Sequence, residues 1–468
     1  MNLRMKFISN LSYAYIAQMI AMLISIVMNL ILPKFLGVES FSYWQLFIFY
    51  SQYIPFFHLG LNDGVYLRYG GITYEKLEKE KIKTQMILGM CYQFFFSVLI
   101  CIITICIVNE KNRQWIILFA CIYFMIYTVQ NYLGYIFQAA NETYIYSKSV
   151  IINRVSFLVG MLLLVVLKQG HCWPYIGVYI FAQLIAALYL CFNGREILCA
   201  PYVSFKLGFD ELKKSISVGI KLMLANIASM LILGSGRFII DIRWDLETFG
   251  RISFSITLTN FLLTFIQQIG MVLFPLLRQL KQDKQKQIYE RFREVMFIVL
   301  PLIFVIYFPA KAILDLWLPN YSESFRYLAL MLPICFFDAK MQMLCNTYLK
   351  VRRQEKLLFI LNLISTIVSL CTGLLGAYVF NSLYVVVIGM VFSIALRSAV
   401  AEFYLAKQMN MNIIKQYVQE VVFVCIFIIV AWWCKNDCGF FSILACYICI
   451  LITNRKLVIE WVKRYVQK

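Results

Sequence analysis

Residues 325–349 read FRYLALMLPICFFDAKMQMLCNTYL, an apolar stretch that carries Asp338 and Lys340 near its middle. A helix of this length crosses the roughly 30 Å of hydrocarbon in a membrane. An ionisable residue there costs about 2.5–3.5 kcal/mol on the milder insertion scales, so it needs a partner, a water-filled cavity or a function. Residues two apart on a helix point about 200° apart, so Asp338 and Lys340 cannot pair with each other. The fold must therefore supply a separate environment for each.

Comparable apolar stretches recur along the whole chain, which has 468 residues, of which 62% are hydrophobic and 14% are charged. Soluble domains have about a quarter of their residues charged. The alternating pattern of a membrane barrel is absent from the sequence, and a lipid-exposed backbone must satisfy its own hydrogen bonds, so the spans are helices. The sequence predicts an all-α polytopic membrane protein with about 14 transmembrane helices. The predicted spans are 8–32, 40–61, 86–108, 115–139, 150–167, 174–193, 216–240, 248–277, 294–318, 325–349, 357–380, 384–406, 417–434 and 439–453.

The distribution of basic residues predicts the orientation. With the N-terminus inside, the inner segments carry 31 Lys and Arg and the outer segments carry 10. The positive-inside rule then places both termini in the cytoplasm. The net charge of +19 follows from this topology, so no nucleic-acid partner is expected, and the basic inner face suits anionic membrane lipids. With two histidines a His-rich metal site is excluded, and no cofactor is expected.

A weak internal repeat divides the chain. Two Glu-x-Phe elements begin at Glu39 and Glu247, which are 208 residues apart, and Asn153 and Asn362 are 209 apart. Six spans per repeat give both halves the same orientation, and transporters built from such halves bind substrate between them. Chance similarity of apolar segments is the alternative. The predicted division is an N-terminal six-helix lobe at 1–205, a C-terminal six-helix lobe at 206–410 and an accessory helical hairpin with a tail at 411–468.

Depth in the membrane suggests a partner for Asp338. It lies 13 residues after Phe325, and Arg397 lies 13 residues after Tyr384, in spans that run in the same direction. At 1.5 Å per residue both are roughly 20 Å from the outer surface. We therefore expect an ion pair between Asp338 and Arg397, which leaves Lys340 to face a cavity. The alternative is that all three residues form one static polar lock.

Cationic residues outnumber acidic ones within the spans, which favours an anionic substrate such as a lipid diphosphate, because phosphate oxygens suit Arg and Lys. For cations one or two turns inside a predicted span end, the alternative is snorkelling to the interface. The candidates for headgroup contact are Arg68, Arg154, Lys221, Arg237, Lys340 and Arg397. The candidates for ion coupling or charge pairing are Asp63, Asp338 and Glu402.

Short motifs follow one another in a characteristic order. They are Leu32-Pro33, Leu36-Gly37, Phe41-Ser42-Tyr43-Trp44, Leu59-Gly60-Leu61-Asn62-Asp63-Gly64, Gly236-Arg237-Phe238, Phe274-Pro275, Trp317-Leu318-Pro319 and Asn346-Thr347-Tyr348-Leu349. Together, over nearly the whole chain, they resemble the Wzx-type polysaccharide biosynthesis flippases of the multidrug/oligosaccharidyl-lipid/polysaccharide exporter superfamily. The resemblance implies two six-helix pseudo-repeat lobes around a central cationic cavity.

The resemblance also implies a function. This is translocation of undecaprenyl-diphosphate-linked oligosaccharide repeat units across the bacterial cytoplasmic membrane, by alternating access coupled to a cation gradient. The implied partners are a polysaccharide polymerase and the chain-length machinery. Related lipid II flippases have fourteen spans too, but the basic residues of their first span are missing here, since no charge lies between Lys6 and Lys34.

Three alternatives stay open. A drug/cation antiporter of the same fold would need an acidic cavity, and the spans of this chain are basic. A membrane-embedded glycan polymerase would need a long outer loop with paired charged residues, and the predicted outer loops have about ten residues or fewer. A passive scramblase or an assembly scaffold is the third alternative. The sequence also contains no Gly-Lys dipeptide, hence no Walker A loop, so an enzymatic activity is not expected.

Overall fold

The computed structural model describes residues 3–278, 282–352 and 354–455, with side chains described for 18–264, 285–352 and 354–455. Helices dominate these ranges, and no strand occurs in them. The chain forms two compact units, Met1–Ile227 and Ala228–Lys468. The predicted division at residues 205 and 410 stays a prediction.

The helices of the first unit include one that covers two predicted spans. Gly37 interrupts this helix with φ 71° and ψ 169°, a conformation that a residue without a Cβ adopts at little cost. The helices are α1 (Leu3–Tyr53), α2 (Leu61–Tyr69), α3 (Lys79–Ile107), α4 (Lys111–Ala139), α5 (Thr143–Val166), α6 (Cys172–Asn193) and α7 (Arg195–Leu198), followed by α8 (Phe205–Arg243), which continues into the second unit.

The second unit is also helical, and two of its helices contain π turns, at Met341–Asn346 and at Leu375–Val379. Such turns occur frequently at functional sites. The helices of this unit are α9 (Leu246–Arg278), α10 (Gln282–Val299), α11 (Leu302–Trp317), α12 (Ser322–Lys340), α13 (Thr347–Val351), α14 (Glu355–Leu374), α15 (Leu383–Gln408), α16 (Ile414–Trp433) and α17 (Asn436–Thr453).

Twelve segments of the described chain are long and apolar enough to span a membrane. One of them, Gln18–His58, overlaps most of the first two predicted spans, 8–32 and 40–61. The eighth predicted span falls in α9, where side chains from residue 265 onward lie outside the described ranges. The all-helical, multi-pass prediction is confirmed. The twelve segments found are close to the predicted fourteen, but the exact count is not confirmed.

Stacked and edge-to-face aromatic rings form the centre of the first unit. Trp44 of α1 stacks on Phe157 of α5 with ring centroids 5.7 Å apart, and Phe157 meets Tyr179 of α6 edge-on at 5.1 Å. Tyr123 of α4 joins the same group, 5.4 Å from Tyr179. Aromatic pairs of this kind add about 0.5–1.5 kcal/mol each beyond the area that they bury. They hold α1, α4, α5 and α6 together.

Glycines bring α2 unusually close to the start of α8. A Cβ built on Gly64 would overlap the backbone of Ser215, and one built on Gly219 would overlap the backbone of Gly60 and Gly64. This contact leaves no space for a larger residue on either helix. It fixes the N-terminal part of α8 against the first unit.

Replacing Gly64 with Ala should therefore push α2 and α8 apart. We expect a loss of about 1–3 kcal/mol, the usual cost of overpacking, seen as a lower melting temperature of the detergent-purified protein. Gly177→Ala on α6 is the matched control, because nothing lies within 4 Å of its added Cβ. A Gly64→Ala protein as heat-stable as the control would show that the two helices do not pack this closely.

The hairpin predicted at 411–468 packs into the second unit through aromatic rings. Phe427 of α16 lies 4.5 Å from Phe304 and 5.5 Å from Tyr307, both on α11. Tyr447 of α17 donates a hydrogen bond to the carbonyl of Ile298 at 2.9 Å. The hairpin thus shares its buried surface with the rest of the second unit.

Candidate functional site

A buried polar triad lies in the middle of the second unit. Arg397 of α15 forms an ion pair with Asp338 of α12 and donates a second hydrogen bond, of 3.1 Å, to Asn362 of α14. All three side chains are buried. The ion pair inferred from depth is therefore present in the structure. Because Asp338 and Arg397 are buried together, their mutual attraction offsets the cost of removing the Asp338 carboxylate from water.

The first unit contains a neutral version of this triad. Gln183 of α6 donates a hydrogen bond to Gln130 of α4 and accepts one, of 2.7 Å, from Asn153 of α5. All three amides are buried. In both units a central residue bridges two neighbouring helices through buried hydrogen bonds.

The offset of the repeat relates two of the three positions in these triads. Gln130 and Asp338 are 208 residues apart, and Asn153 and Asn362 are 209 apart. The bridging residues Gln183 and Arg397 are 214 apart, about one and a half helical turns further along. The two triads thus occupy corresponding places, one with amides and one with charges. This correspondence favours a structural role for Asp338 and Arg397.

Lys340 lies at the centre of a buried charge cluster, which we call the lysine cluster. Its Nζ is 2.6 Å from a carboxylate oxygen of Glu402 on α15 and 2.6 Å from one of Glu420 on α16. Arg293 of α10 lies 2.6 Å from the other oxygen of Glu402 and donates to the amide oxygen of Gln416. The four charged side chains are 0–2% exposed. The cluster is electrically balanced, with two cations and two anions.

The structure corrects the expectation that Lys340 faces a cavity. Its side chain is 1% exposed, and two carboxylates surround its ammonium group. In lipid-surrounded protein an ammonium is best stabilised by close anions, so the chain encloses Lys340 rather than leaving it open. Glu402, predicted for ion coupling or pairing, is one of those anions. Its coupling role stays a prediction.

Arg68 forms a clamp between α2 and α8. It pairs with the carboxylate of Glu211 and donates hydrogen bonds to the Glu211 carbonyl at 3.0 Å and to Ser215 Oγ at 2.7 Å. Ser215 in turn donates to Gln85 of α3 at 3.0 Å. Both terminal nitrogens of the Arg68 guanidinium thus have partners within the first unit. Headgroup binding by Arg68 would require this clamp to open.

Arg237 and Lys221 lie on the same helix in different environments. Arg237 is buried, donates to Ser253 of α9 at 3.1 Å and lies over the ring of Phe249 with 5.5 Å to its centroid. Lys221 is exposed near the middle of α8. Arg237 is therefore enclosed by protein, whereas Lys221 is accessible.

Arg154 lies deeper than the sequence predicts. The predicted span begins at residue 150, but α5 begins at Thr143, so Arg154 is 11 residues inside, or about 17 Å along the axis. It is half-buried and acts electrostatically on Tyr123 and Tyr146. Among the described side chains none forms an ion pair or hydrogen bond with its guanidinium. This mid-helix cation is thus accessible and without a described anion.

Asp63 is buried at the start of α2, outside the candidate spans. His58 Nδ1 accepts a hydrogen bond from the backbone N–H of Gly60 at 2.9 Å, so its Nε2 carries the proton and faces Asp63 at 4.0 Å. Burial raises the pKa of Asp63 to about 6. Its carboxyl group therefore changes protonation close to neutral pH.

Two of the residues that matter most had no distinct sequence signal. Arg293 stands next to the ninth predicted span and reads as an inner-loop cation, and Glu420 stands near the inner end of the thirteenth. Both are buried within the lysine cluster. Arg293 and Glu420 could have been found by asking, for each charged residue near a predicted span end, whether it has a residue of opposite charge at a similar depth in another span. The neutral amides Gln130 and Gln183 carry no such signal.

If the charged triad is a structural lock, amides can replace its charges. Asp338→Gln or Arg397→Gln alone leaves one buried charge unpaired and should cost about 3–5 kcal/mol. The double variant Asp338→Gln/Arg397→Gln reproduces the Gln-Gln-Asn chemistry of the first unit. We expect it to recover most of the melting temperature and folded yield lost in each single variant. A double variant no more stable than the worse single variant would contradict this reading.

The raised pKa of Asp63 predicts a pH dependence of stability. Protonation favours the folded state, so this contribution is present below the unfolded pKa near 4 and is lost as pH rises through about 6. The effect can reach about 3 kcal/mol, since one pKa unit corresponds to about 1.4 kcal/mol.

The control is Asp63→Asn, which cannot ionise. Melting temperatures at pH 5 and pH 7.5 should differ less in Asp63→Asn than in the wild type, and the variant should be the more stable of the two at pH 7.5. Equal pH dependence in both proteins would mean that Asp63 is not desolvated.

Comparisons with known proteins agree with this architecture. A structure of the lipid II flippase MurJ in an inward closed conformation aligns with a TM-score of 0.69 at 11% identity, covering 98% of this chain and 100% of that one. An inward-facing multidrug resistance MATE family transporter of the MOP superfamily aligns with a TM-score of 0.65 at 13% identity, covering 85% and 98%. These likenesses show a shared fold. No curated protein sequence gives a significant match.

Residues 7–281 match the family model described as Polysaccharide biosynthesis protein. The match covers more than half of the chain and includes α2, α4, α5 and α6. The family and the two structural relatives are transporters or flippases rather than enzymes. The chain is a multi-pass membrane protein that belongs to the polysaccharide biosynthesis protein family of flippases and related transporters.

Proposed function

We propose that the protein translocates oligosaccharide repeat units linked to undecaprenyl diphosphate across the bacterial cytoplasmic membrane, for assembly of a surface polysaccharide. Membership of the polysaccharide biosynthesis family supports the glycan, and the fold shared with a lipid II flippase supports a lipid-linked substrate. The excess of basic residues on one set of loops supports a cytoplasmic location for both termini. A polymerase and the chain-length machinery are the proposed partners that receive the product.

One observation carries the choice of an anionic headgroup. Arg154 sits in the middle of α5, half-buried, and no described carboxylate neutralises it. The other proposed headgroup cations in spans, Lys340, Arg397 and Arg237, are enclosed by protein. An unneutralised guanidinium at membrane depth is costly, and a diphosphate group would remove that cost through charge-assisted hydrogen bonds. Lys221, also exposed, is the second proposed contact.

Among the three candidates for ion coupling, only Asp63 is not neutralised by a described Lys or Arg. Asp338 is neutralised by Arg397, and Glu402 by Lys340 and Arg293. Asp63 faces His58 at 4.0 Å, and no described Lys or Arg forms an ion pair with it. Its pKa of about 6 allows it to bind and release a proton near neutral pH. We therefore propose that coupling to a proton gradient takes place at Asp63. An organic cation is a poor substrate for this site, because Arg154 would repel it.

Arg154→Gln should lower the translocation rate by about tenfold to a hundredfold, because one hydrogen bond to a charged group contributes about 1.5–3 kcal/mol. The measurement is proteoliposome transport of a fluorescent undecaprenyl-diphosphate oligosaccharide, with dye in the outer leaflet destroyed by reductant. Lys148→Gln is the matched control, because it removes one cation from an exposed position on the same helix. Wild-type transport by a folded Arg154→Gln protein would remove Arg154 from the site.

A further inference from the structure

Helix α4 is exposed on two opposite sides that differ in chemistry. At about 100° per residue, one partly exposed side of the helix is apolar and the side opposite to it is polar. The apolar side consists of Ile122, Met125, Ile126 and Val129. The polar side consists of Tyr127, Asn131, Tyr135 and Gln138, all half-buried. When a membrane helix is apolar on one exposed side and polar on the other, the apolar side suits lipid and the polar side suits a polar environment.

Neighbouring helices extend the polar side. Tyr66 of α2 meets Tyr135 edge-on with 5.7 Å between ring centroids. The ring of Tyr146 on α5 packs against Gly134 of α4, where a Cβ would overlap it. We call this surface the tyrosine stripe. Its members are Tyr66, Tyr127, Asn131, Tyr135, Gln138 and Tyr146.

Arg154 adjoins the stripe on the side of α5 that is turned away from lipid. The exposed apolar residues of α5, such as Val155, Val159 and Val166, lie together on one side of that helix. Tyr146 and Arg154 lie roughly 120–160° around the axis from them. The same division into an apolar side and a polar side therefore occurs on both helices. The polar side of α5 includes Arg154, which is half-buried.

Water, rather than lipid, is the medium that suits the stripe. Within the stripe, Asn131 donates a hydrogen bond of 3.2 Å to the hydroxyl of Tyr127. The other side-chain hydroxyl and amide groups of the stripe have no partner among the described side chains, and such groups cost several kcal/mol each when they face hydrocarbon. The apolar sides of α4 and α5 already account for contact with lipid. The stripe is therefore an aqueous surface within the span region of the first unit.

The tyrosine stripe has no counterpart at the corresponding positions of the second half of the chain. With the 208-residue offset that relates Gln130 to Asp338, its four α4 positions correspond to Cys335, Ala339, Met343 and Asn346. The first three of these are buried, and none is aromatic. The fold thus does not require tyrosines at these positions. Their presence in the first unit points to a ligand.

We infer that the tyrosine stripe binds the sugar rings of the lipid-linked oligosaccharide, an inference that rests on the proposed function. Tyrosine rings offer flat apolar faces to the C–H faces of sugars, and the Tyr hydroxyls and the Asn and Gln amides pair with sugar hydroxyls. A neutral, hydroxyl-rich ligand matches a surface with many donors and acceptors and no net charge. Arg154 beside it takes the diphosphate to which the glycan is attached.

The test separates glycan binding from diphosphate binding. Purified protein in lipid nanodiscs is titrated with undecaprenyl-diphosphate oligosaccharide and, separately, with undecaprenyl diphosphate without sugar, and both dissociation constants are measured. Tyr135→Ala and Tyr127→Ala should each weaken binding of the oligosaccharide form about fivefold to tenfold and leave binding of the sugar-free form unchanged. Arg154→Gln should weaken binding of both.

The matched control is Trp115→Ala, which removes an exposed ring from the apolar side of α4 and should change neither constant. A Tyr135→Phe variant retains the ring, so it should lose less affinity than Tyr135→Ala. If the wild type binds both probes and the tyrosine variants bind the oligosaccharide form as tightly as the wild type, the stripe does not contact sugar. If the wild type binds neither probe, the proposed function itself is wrong.

Discussion

The buried ammonium group of Lys340 constrains the packing of the helices around it in the second unit. An ammonium group enclosed in protein and surrounded by lipid has no water to stabilise it, so anions must come to it. Glu402 and Glu420 do so from two helices, each at 2.6 Å, and Arg293 restores the balance from a third. Four helices, α10, α12, α15 and α16, are thereby held at fixed distances. Local packing in this unit follows from charges that cannot be separated.

The all-helical, multi-pass architecture could be predicted from the sequence, because the hydropathy and length of each span respond directly to the membrane. The pairing of Asp338 with Arg397 could also be predicted, since both stand at the same depth in spans that run in the same direction. The environment of Lys340 could not, because its partners come from span ends, where a charged residue reads as interfacial. The triad of amides was equally hidden, since neutral Gln and Asn hardly change the mean hydropathy of a span.

Comparison of the two units separates structural from functional polarity. Where both units have a polar residue at corresponding positions, as at Asn153 and Asn362, the residue joins helices. Where only one unit is polar, as along α4, the fold itself does not explain the residues. Comparison of the two units favours an architectural role for Asp338 and Arg397. Of the other candidates, Arg154 is half-buried, Lys221 is exposed, and Asp63 is buried without a described cationic side chain in an ion pair with it.

Glu420 gives the C-terminal hairpin a meaning beyond an appended pair of helices. A chain that ended before Ile414 would keep Arg293 and Lys340 but only one of the two carboxylates that neutralise them. Loss of the hairpin would therefore leave one buried positive charge without its anion. We expect a change in the number of helices in this architecture to be accompanied by a compensating change of charge in the core, so that the two evolve together.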